Sequence, residues 1–362
     1  MDSATANFVK KIFASYYEKA DFRIPSIEQR EFGIGNQKKI DARHLNFNTF
    51  GEFRSYLCTN TPLFVSHSTA YYDFPGASPM QKKGWRGADL VFDLDIHAEG
   101  KYGAYAKLDE IKEDVIRLVR DFILGDFGIK KEHVTIVFSG NRGYHVHVRD
   151  PSFVVLGGEE RRELVDYVMG NGFDYLQLFP ERDKKGSKLV GPMPDDGGYG
   201  GRFARAVIAV LEKEPNSISR LFTKEKEREF FIGGIIEGNW GRTSLKYNDL
   251  LSRLKKIADT VPVRSVNTDA GVTQDLSKLI RVPNSIHGDT GLIANIVDDI
   301  GSFDPWEEAS LQGETLKVRF VEDVPALYLD ETVGPFKKDE EKVLPRHHGL
   351  LFLCKGSAVI SS

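Results

Sequence analysis

"VFDLDIHAEG", residues 91–100, is the stretch on which the reading of this chain turns. Its first half has the composition of a strand: Val91, Phe92, Leu94 and Ile96 are suitable types and the run is short. Asp93 and Asp95 interrupt it two residues apart. Side chains alternate along a strand, so both carboxylates point to one face. Like charges on a half-buried face repel each other and lose hydration. Two readings fit the spacing alone: a surface strand with an acidic solvent face, or a carboxylate pair that divalent cations neutralise.

Working outward, "AKLDEIKEDVIRLVRDFILGDFG" (106–128) predicts one amphipathic helix, with Leu108, Ile111, Val115, Leu118, Val119, Phe122 and Ile123 as its apolar stripe and Gly125 as its C-terminal cap. "HVTIVFSG" and "YHVHVRD" predict two strands around a tight "GNRG" turn. Upstream, Phe8, Ile12, Phe13, Tyr16 and Tyr17 recur at helix spacing. "REFGIGNQKKIDARHLNF" (30–47) reads as two short strands, "GEFRSYLCTNTP" as a helix ending before Pro62, and "LFVSHSTAYYDFPG" as strand. Downstream, "GGEERRELVDYVMGNGFDYLQLF", "GRFARAVIAVLEK" and "LKYNDLLSRLKKIADT" are helical patterns; strand character returns at "VPVRSV" and "TGLIANIV". The pattern is α+β. Residues 1–154 and 262–345 are expected to form a discontinuous α/β domain, 155–261 a helical insertion, and 346–362 a C-terminal tail.

The balance of residue types is that of a globular protein, 41% hydrophobic and 28% charged, which supports a substantial core. The net charge of −4 gives no overall attraction to nucleic acid, so any such role must rest on a local basic patch. Cys58 and Cys354 form no close-spaced ligand pair and suggest a reducing compartment. "MDSATANFVKKIFASYY" lacks an uninterrupted apolar core, and no run approaches membrane-spanning length. A cytoplasmic protein is expected.

Two further stretches join the aspartate pair. "FSGNRGYHVHV" (138–148) places Ser139, the backbone N–H groups around Gly140 and Arg142 at one sheet end, where a turn can cradle an anion and Arg offers a planar fork. His145 and His147 share a face of the second strand. A plain hairpin turn with a solvated Arg fits the same residues. In "NTDAGVTQDLSKLIRVPNSIHGDTG" (267–291), Thr273 is expected to cap a short helix, Arg281 to fall near that helix's end and His287 in the loop beyond. Together these stretches supply acids for metals and cations for a polyphosphate, the requirements of nucleotidyl transfer.

At this point the sequence resembles a known family, the catalytic (small) subunit of archaeal and eukaryotic replicative DNA primase, its archaeal branch most of all. "REFGIG", "KKIDARHL", "AYYDFPGASPM", "KKGWRGADLVFDLD", "VFSGNRGYHVHVRD" and "LIRVPNSIHGDTGL" carry the resemblance, in the family's order and over most of the chain. It implies the primase catalytic fold, with mixed or antiparallel sheets flanked by helices and a helical subdomain. It also implies template-directed primer synthesis on single-stranded DNA for replication. The family's metal-binding aspartates map to Asp93, Asp95 and a third upstream of the later block. Asp269 is chosen over Asp275, because the family's acid sits eighteen residues before the histidine and 287 − 269 is 18. Asp275 is expected in the first turn of the helix.

The resemblance further implies that Ser139, Gly140, Arg142, His145, Arg281 and His287 contact the nucleotide, with Glu31 and Arg43 as further pocket residues and His147 structural. Its cofactors are two Mg²⁺ or Mn²⁺ ions. Its partners are the large iron–sulfur subunit, a single-stranded DNA template with an RNA or DNA primer, and ribo- or deoxyribonucleoside triphosphates, with no membrane. Family members often carry a zinc knuckle between the two strand motifs. This chain has no cysteine between Cys58 and Cys354, so no structural zinc is expected. Two neighbouring readings remain open: a repair polymerase of the same superfamily, as in bacterial end-joining ligases, and a non-catalytic nucleotide- or DNA-binding subunit. The former tends to show Lys-Gly where this chain has Arg142–Gly143.

Overall fold

In a computed structural model of the chain, the structure describes residues 2–179, 189–259 and 266–361. The chain divides into two compact units. The first comprises residues 1–116, 130–165 and 268–362, the second 117–129 and 166–267.

The first unit opens with helix α1 (Ser3–Tyr17), whose Val9, Phe13 and Tyr17 are buried at helical spacing. Strands β1 (Phe32–Gly35) and β2 (Ala42–Leu45) form the expected hairpin, and α2 (Phe50–Asn60) starts at a Thr49 cap that accepts the Glu52 N–H. Then come β3 (Phe64–Ser68), β4 (Ala70–Tyr72) and β5 (Trp85–Ala88), followed by the aspartate strand β6 (Leu90–Asp95). Phe22, Phe32, Phe47 and Phe53 pack ring against ring at 4.9–5.2 Å between centroids, joining α2 to β1. Helix α3 (Leu108–Arg117), β7 (Val134–Phe138) and β8 (Gly143–Val148) follow, then α4 (Pro151–Val154) and α5 (Gly158–Met169), which leads into the second unit.

The second unit is helical: α6 (Gly198–Lys213), α7 (Pro215–Ile218), α8 (Glu225–Ile236) and α9 (Tyr247–Ala258). Its core centres on Trp240, buried against Phe179, Phe203 and Phe231, with the indole N–H donating to Pro192 O. It also takes in Leu118–Asp126, which is wound as a π-helix. There Phe127 N–H bonds to Phe122 O, five residues back. The single α-helix expected over 106–128 is therefore α3 followed by a π-helical segment. A five-residue spacing is invisible to a periodicity argument, because Leu118, Phe122 and Ile123 are buried either way.

The chain returns to the first unit with α10 (Ala270–Gln274), β9 (Leu279–Arg281), β10 (Ile296–Val297), α11 (Pro305–Glu308), β11 (Leu316–Phe320), β12 (Leu327–Tyr328), β13 (Thr332–Val333), β14 (Glu341–Leu344), α12 (Arg346–Cys354) and β15 (Ala358–Ile360). Two four-stranded sheets dominate, ordered β2-β1-β3-β9 and β10-β7-β8-β6, with a third of order β14-β11-β15; their strand pairs are antiparallel. The fold is α+β, as the sequence predicts. On β6, Leu90, Phe92 and Leu94 are wholly buried on one face, while Val91 on the other meets Val272 of α10 and Ile280 of β9. His67 of β3 stacks on His147 of β8 at 6.3 Å. The two large sheets thus face each other, with the aspartate side of β6 turned toward β9.

Several expectations need correction. Thr273 does not cap a helix: Asp269 caps α10, accepting the Gly271 N–H, and Thr273 lies inside it with its hydroxyl donating to Val91 O. Asp275 is the C-cap of α10 rather than a first-turn residue, and Arg281 sits on a strand. Residues 346–362, expected as a tail, supply α12 and β15; Leu350 to Leu353 are wholly buried and Phe352 packs on Phe320. Helix α8 went unpredicted. "VPVRSV" lies outside the described residues but for Val266. Among the described residues no helix is long and apolar enough to cross a membrane.

Candidate active site

Among the described residues, strand β6 is paired on one side only, by β8, with Asp93 opposite His145 and Asp95 opposite Gly143. Its other edge is held by the chain entering α10. Asp269 N–H (2.9 Å) and the Thr268 hydroxyl (3.0 Å) both donate to Asp93 O, and Thr273 holds Val91 O at 2.7 Å. That docking brings Asp269 beside the aspartate pair, although 174 residues separate Asp95 from Asp269 in sequence (269 − 95).

The consequence is electrostatic. Asp93 is 17% exposed, and its Oδ1 is buried with no hydrogen-bond partner among the described residues. Burial, then the charges of Asp95 and Asp269, push its carboxyl up to about 7, while Lys278 and Lys39 pull it down. A group of acids that cannot all ionise without a counter-charge has the donor chemistry of a divalent-cation site, since hard cations take carboxylate oxygens. The unpartnered Oδ1 is an oxygen with a lone pair to offer.

The turn between β7 and β8 closes with Ser139 N–H donating to Gly143 O, and Arg142 O accepting the Ile96 N–H. Gly140 has φ +74, and a Cβ there would stand 3.0 Å from His287 Cβ and 3.1 Å from Leu292 O. Glycine is required both for the left-handed turn and for its approach to the 287–292 loop, which the Thr290 hydroxyl fastens to Gly140 O. Ser139 and His287 are thereby brought to one place. Arg142, partly exposed, leans on Asp95 with Nε 3.3 Å from Oδ2.

His145, Arg281 and His287 are buried together. Burial first, then the Arg281 charge on His287 and the His147 and Arg281 charges on His145, keep both imidazoles neutral, well below their ordinary range. His287 Nδ1 accepts the Asp289 N–H, which leaves the ring proton on Nε2. Arg281 lies 5.6 Å from the Phe64 ring, and its Nη1 has no partner among the described residues.

Glu31 and Arg43 form a separate group at the β1–β2 end of the other sheet. Glu31 is wholly buried and accepts from Arg43 Nε (2.8 Å), Arg43 Nη2 (3.2 Å) and His44 N (3.0 Å), with Lys83 Nζ 3.5 Å away. Both its oxygens have partners within the chain, and they hold Arg43 in place. His147 belongs to a buried network around Asp89, which takes Arg30, Tyr71 and Arg149.

Sequence reasoning missed Lys39, Lys278, Asp289 and Lys355, whose charges act on the site residues. Lys39 and Lys278 lie within the motif-bearing stretches and Lys355 outside them, but nothing in a lone lysine marks it. His347 and His348 converge on Asp330, which accepts from their Nε2 atoms at 3.1 and 2.6 Å. Among the described residues this is the group of three whose ligand atoms lie within 4.8 Å of one another; hydrogen bonds already account for it. The three aspartates do not meet that spacing, so their fit to a cation rests on donor chemistry.

Comparison with known proteins gives this geometry its class. The family model described as "DNA primase small subunit" matches residues 92–299, which include Asp93, Asp95, Asp269 and the stretches 138–148 and 279–291. The "DNA primase small subunit PriS" of Methanococcoides burtonii is 33% identical, with 99% of each chain covered. The proteins of the same name from Archaeoglobus fulgidus (32%, 99% of each) and Methanocorpusculum labreanum (33%, 100% of this chain and 99% of the other) are similar over equal lengths. The chain belongs to the DNA primase small-subunit family. A member of that family is a primer-synthesising nucleotidyltransferase of DNA replication.

Proposed function

We propose that this chain is the catalytic subunit of an archaeal primase, making short primers on single-stranded DNA by two-metal nucleotidyl transfer in the company of a large iron–sulfur subunit. Asp93, Asp95 and Asp269 would hold Mg²⁺ or Mn²⁺. When bound, such ions supply Lewis acidity to the attacking 3′-hydroxyl and the leaving pyrophosphate. The observation that carries this reading is the third carboxylate delivered to β6 by α10 beside an unpartnered, buried Asp93 oxygen.

The remaining residues bind and orient the triphosphate. Arg142 exchanges Asp95 for phosphate oxygens, to which its guanidinium presents a fork. His287, neutral with its proton on Nε2, donates a hydrogen bond without adding a charge. Arg281 offers its unpartnered Nη1, and Ser139 an unpartnered hydroxyl. His145, 3.6 Å from Asp93 Oδ1, lines the same pocket. Glu31 is a positioning residue for Arg43. No protein nucleophile is needed.

The test is primer synthesis by the purified chain, with and without the large subunit, on single-stranded DNA with labelled ribo- and deoxyribonucleotides and Mg²⁺ or Mn²⁺. Wild type should give metal-dependent products and Asp95→Asn none, with unchanged circular dichroism. Arg142→Ala should lower kcat/KM for nucleotide by about 10²–10³-fold. Activity in Asp95→Asn, or no product from wild type with its partner, would overturn the proposal.

A further inference from the structure

The second unit contains a cavity that the polymerase site does not use. Arg117, Arg120 and Asp121 line one side and Arg202 and Arg205 of α6 the other, around about 470 Å³. Four arginines and one aspartate thus line it; Arg120 bonds that aspartate at 2.6 and 3.0 Å, and Arg205 Nη1 donates to Pro194 O.

Arg202 is the informative member. It is 5% exposed, and its Nη1 donates to Asp126 Oδ2 at 2.7 Å. Its guanidinium lies 4.4 Å from the Phe122 ring and 4.5 Å from that of Tyr199, which fixes its plane. Nε and Nη2 are buried and, among the described residues, have no hydrogen-bond partner. A cation held rigidly with two donors unpaired is costly unless an acceptor arrives from outside the chain. Two of the other arginines flank the start of the π-helical segment Leu118–Asp126, and such wide turns concentrate at functional sites.

We infer that this cavity binds phosphate groups of a nucleic-acid strand. Guanidinium forks match phosphate oxygens, and several in one cleft select for that chemistry over a single carboxylate. The rest of the lining is Ala206 and Ala209, so no ring is presented for a base to stack on. The cleft therefore reads backbone, not base, which suits a strand of any sequence better than a free nucleotide. Naming a strand as the source rests on the polymerase reading; the anion chemistry does not.

The experiment is a fluorescence-anisotropy titration of labelled single-stranded DNA at several salt concentrations. It compares the full chain with Arg120→Glu/Arg205→Glu and with Arg202→Lys, each checked by thermal melting. The double variant should bind at least tenfold more weakly, with a salt slope smaller by about 1–2, as for the loss of two or three phosphate contacts. Arg202→Lys, which keeps the charge and loses the fork, should weaken binding by less. Nucleotide kcat/KM at saturating template should not change. Unchanged affinity and slope in the folded variants would overturn the inference. Inorganic phosphate and pyrophosphate form a second arm: if they bind wild type but not the double variant while strand affinity is unaltered, the cleft is a free-anion site and the strand assignment falls. Strand binding is read without catalysis, so an inactive wild type would sink the proposed function and leave this test intact.

Discussion

Asp89 and Asp93 stand four residues apart, both held from solvent, and their carboxyls are driven in opposite directions. Burial alone would raise Asp89, but Arg30, Arg149 and His147 outweigh it and hold the carboxyl well below its ordinary range. Asp93 has acids for neighbours and is pushed up to about 7. The same substitution should therefore have opposite effects on metal-free protein. Asp89→Asn leaves Arg30 and Arg149 uncompensated and should cost about 3–5 kcal/mol. Asp93→Asn removes a repulsion and should stabilise by on the order of 1 kcal/mol, while abolishing the rise in melting temperature that Mn²⁺ gives wild type. Thermal unfolding in chelator and then in Mn²⁺ measures both. A lower melting point for metal-free Asp93→Asn would remove the electrostatic argument for a cation site.

Among the elements, α10 is the one on which the site depends. It is five residues long, too short to be stable by itself, and it holds Asp269 in place by docking on the unpaired edge of β6. Thr273→Val keeps the shape and deletes the Thr273–Val91 bond, stranding a buried carbonyl at a cost of about 1–3 kcal/mol. Because Asp269 and Thr268 hang from the same edge, the half-saturating Mg²⁺ concentration should rise about fivefold or more, by the same free-energy scale, with KM for nucleotide little changed. An unaltered metal requirement would mean that the Thr268 and Asp269 bonds suffice alone. The same region shows what sequence can and cannot reveal. The D-x-D strand, its hairpin partner and the long amphipathic helices follow from periodicity, because burial on one face is a local property. Asp93, Asp95, Ser139 and Arg142 were legible because one strand and one adjoining turn carry them. The cap of α10, the strand under Arg281 and the π-helical winding depend on what each segment meets in space. Thr273 looked like a cap and is a tether. The Glu31–Arg43 pair joins two residues that sequence alone does not link.

At the scale of the whole chain, the polar groups sealed between the two large sheets give the fold a dependence on acid. His67 and His147 stack there, wholly buried. His67 Nδ1 donates to Ser68 O, and its Nε2 has no partner among the described residues. Burial, then the Arg30 charge, hold His67 well below its ordinary range; burial holds His147 at about 4 against the opposing pull of Asp89. Both are neutral in the folded chain, whereas in the unfolded chain each takes up a proton near pH 6.5 or so. Below that value the unfolded state binds more protons than the native one, so stability falls as pH falls, for His147 until about pH 4. The loss should be on the order of 1 kcal/mol per histidine for each pH unit below about 6.5. Asp93 acts with the opposite sign, because a raised carboxyl gains stability as it protonates, so the measurement belongs in Asp93→Asn. In that background the urea midpoint should be flat from pH 8 to 7 and fall from 6.5 to 5. His67→Gln should make the fall shallower. A midpoint that stays level down to pH 5 would mean that the inter-sheet histidines protonate in place, and that the space between the sheets admits the charge this structure excludes.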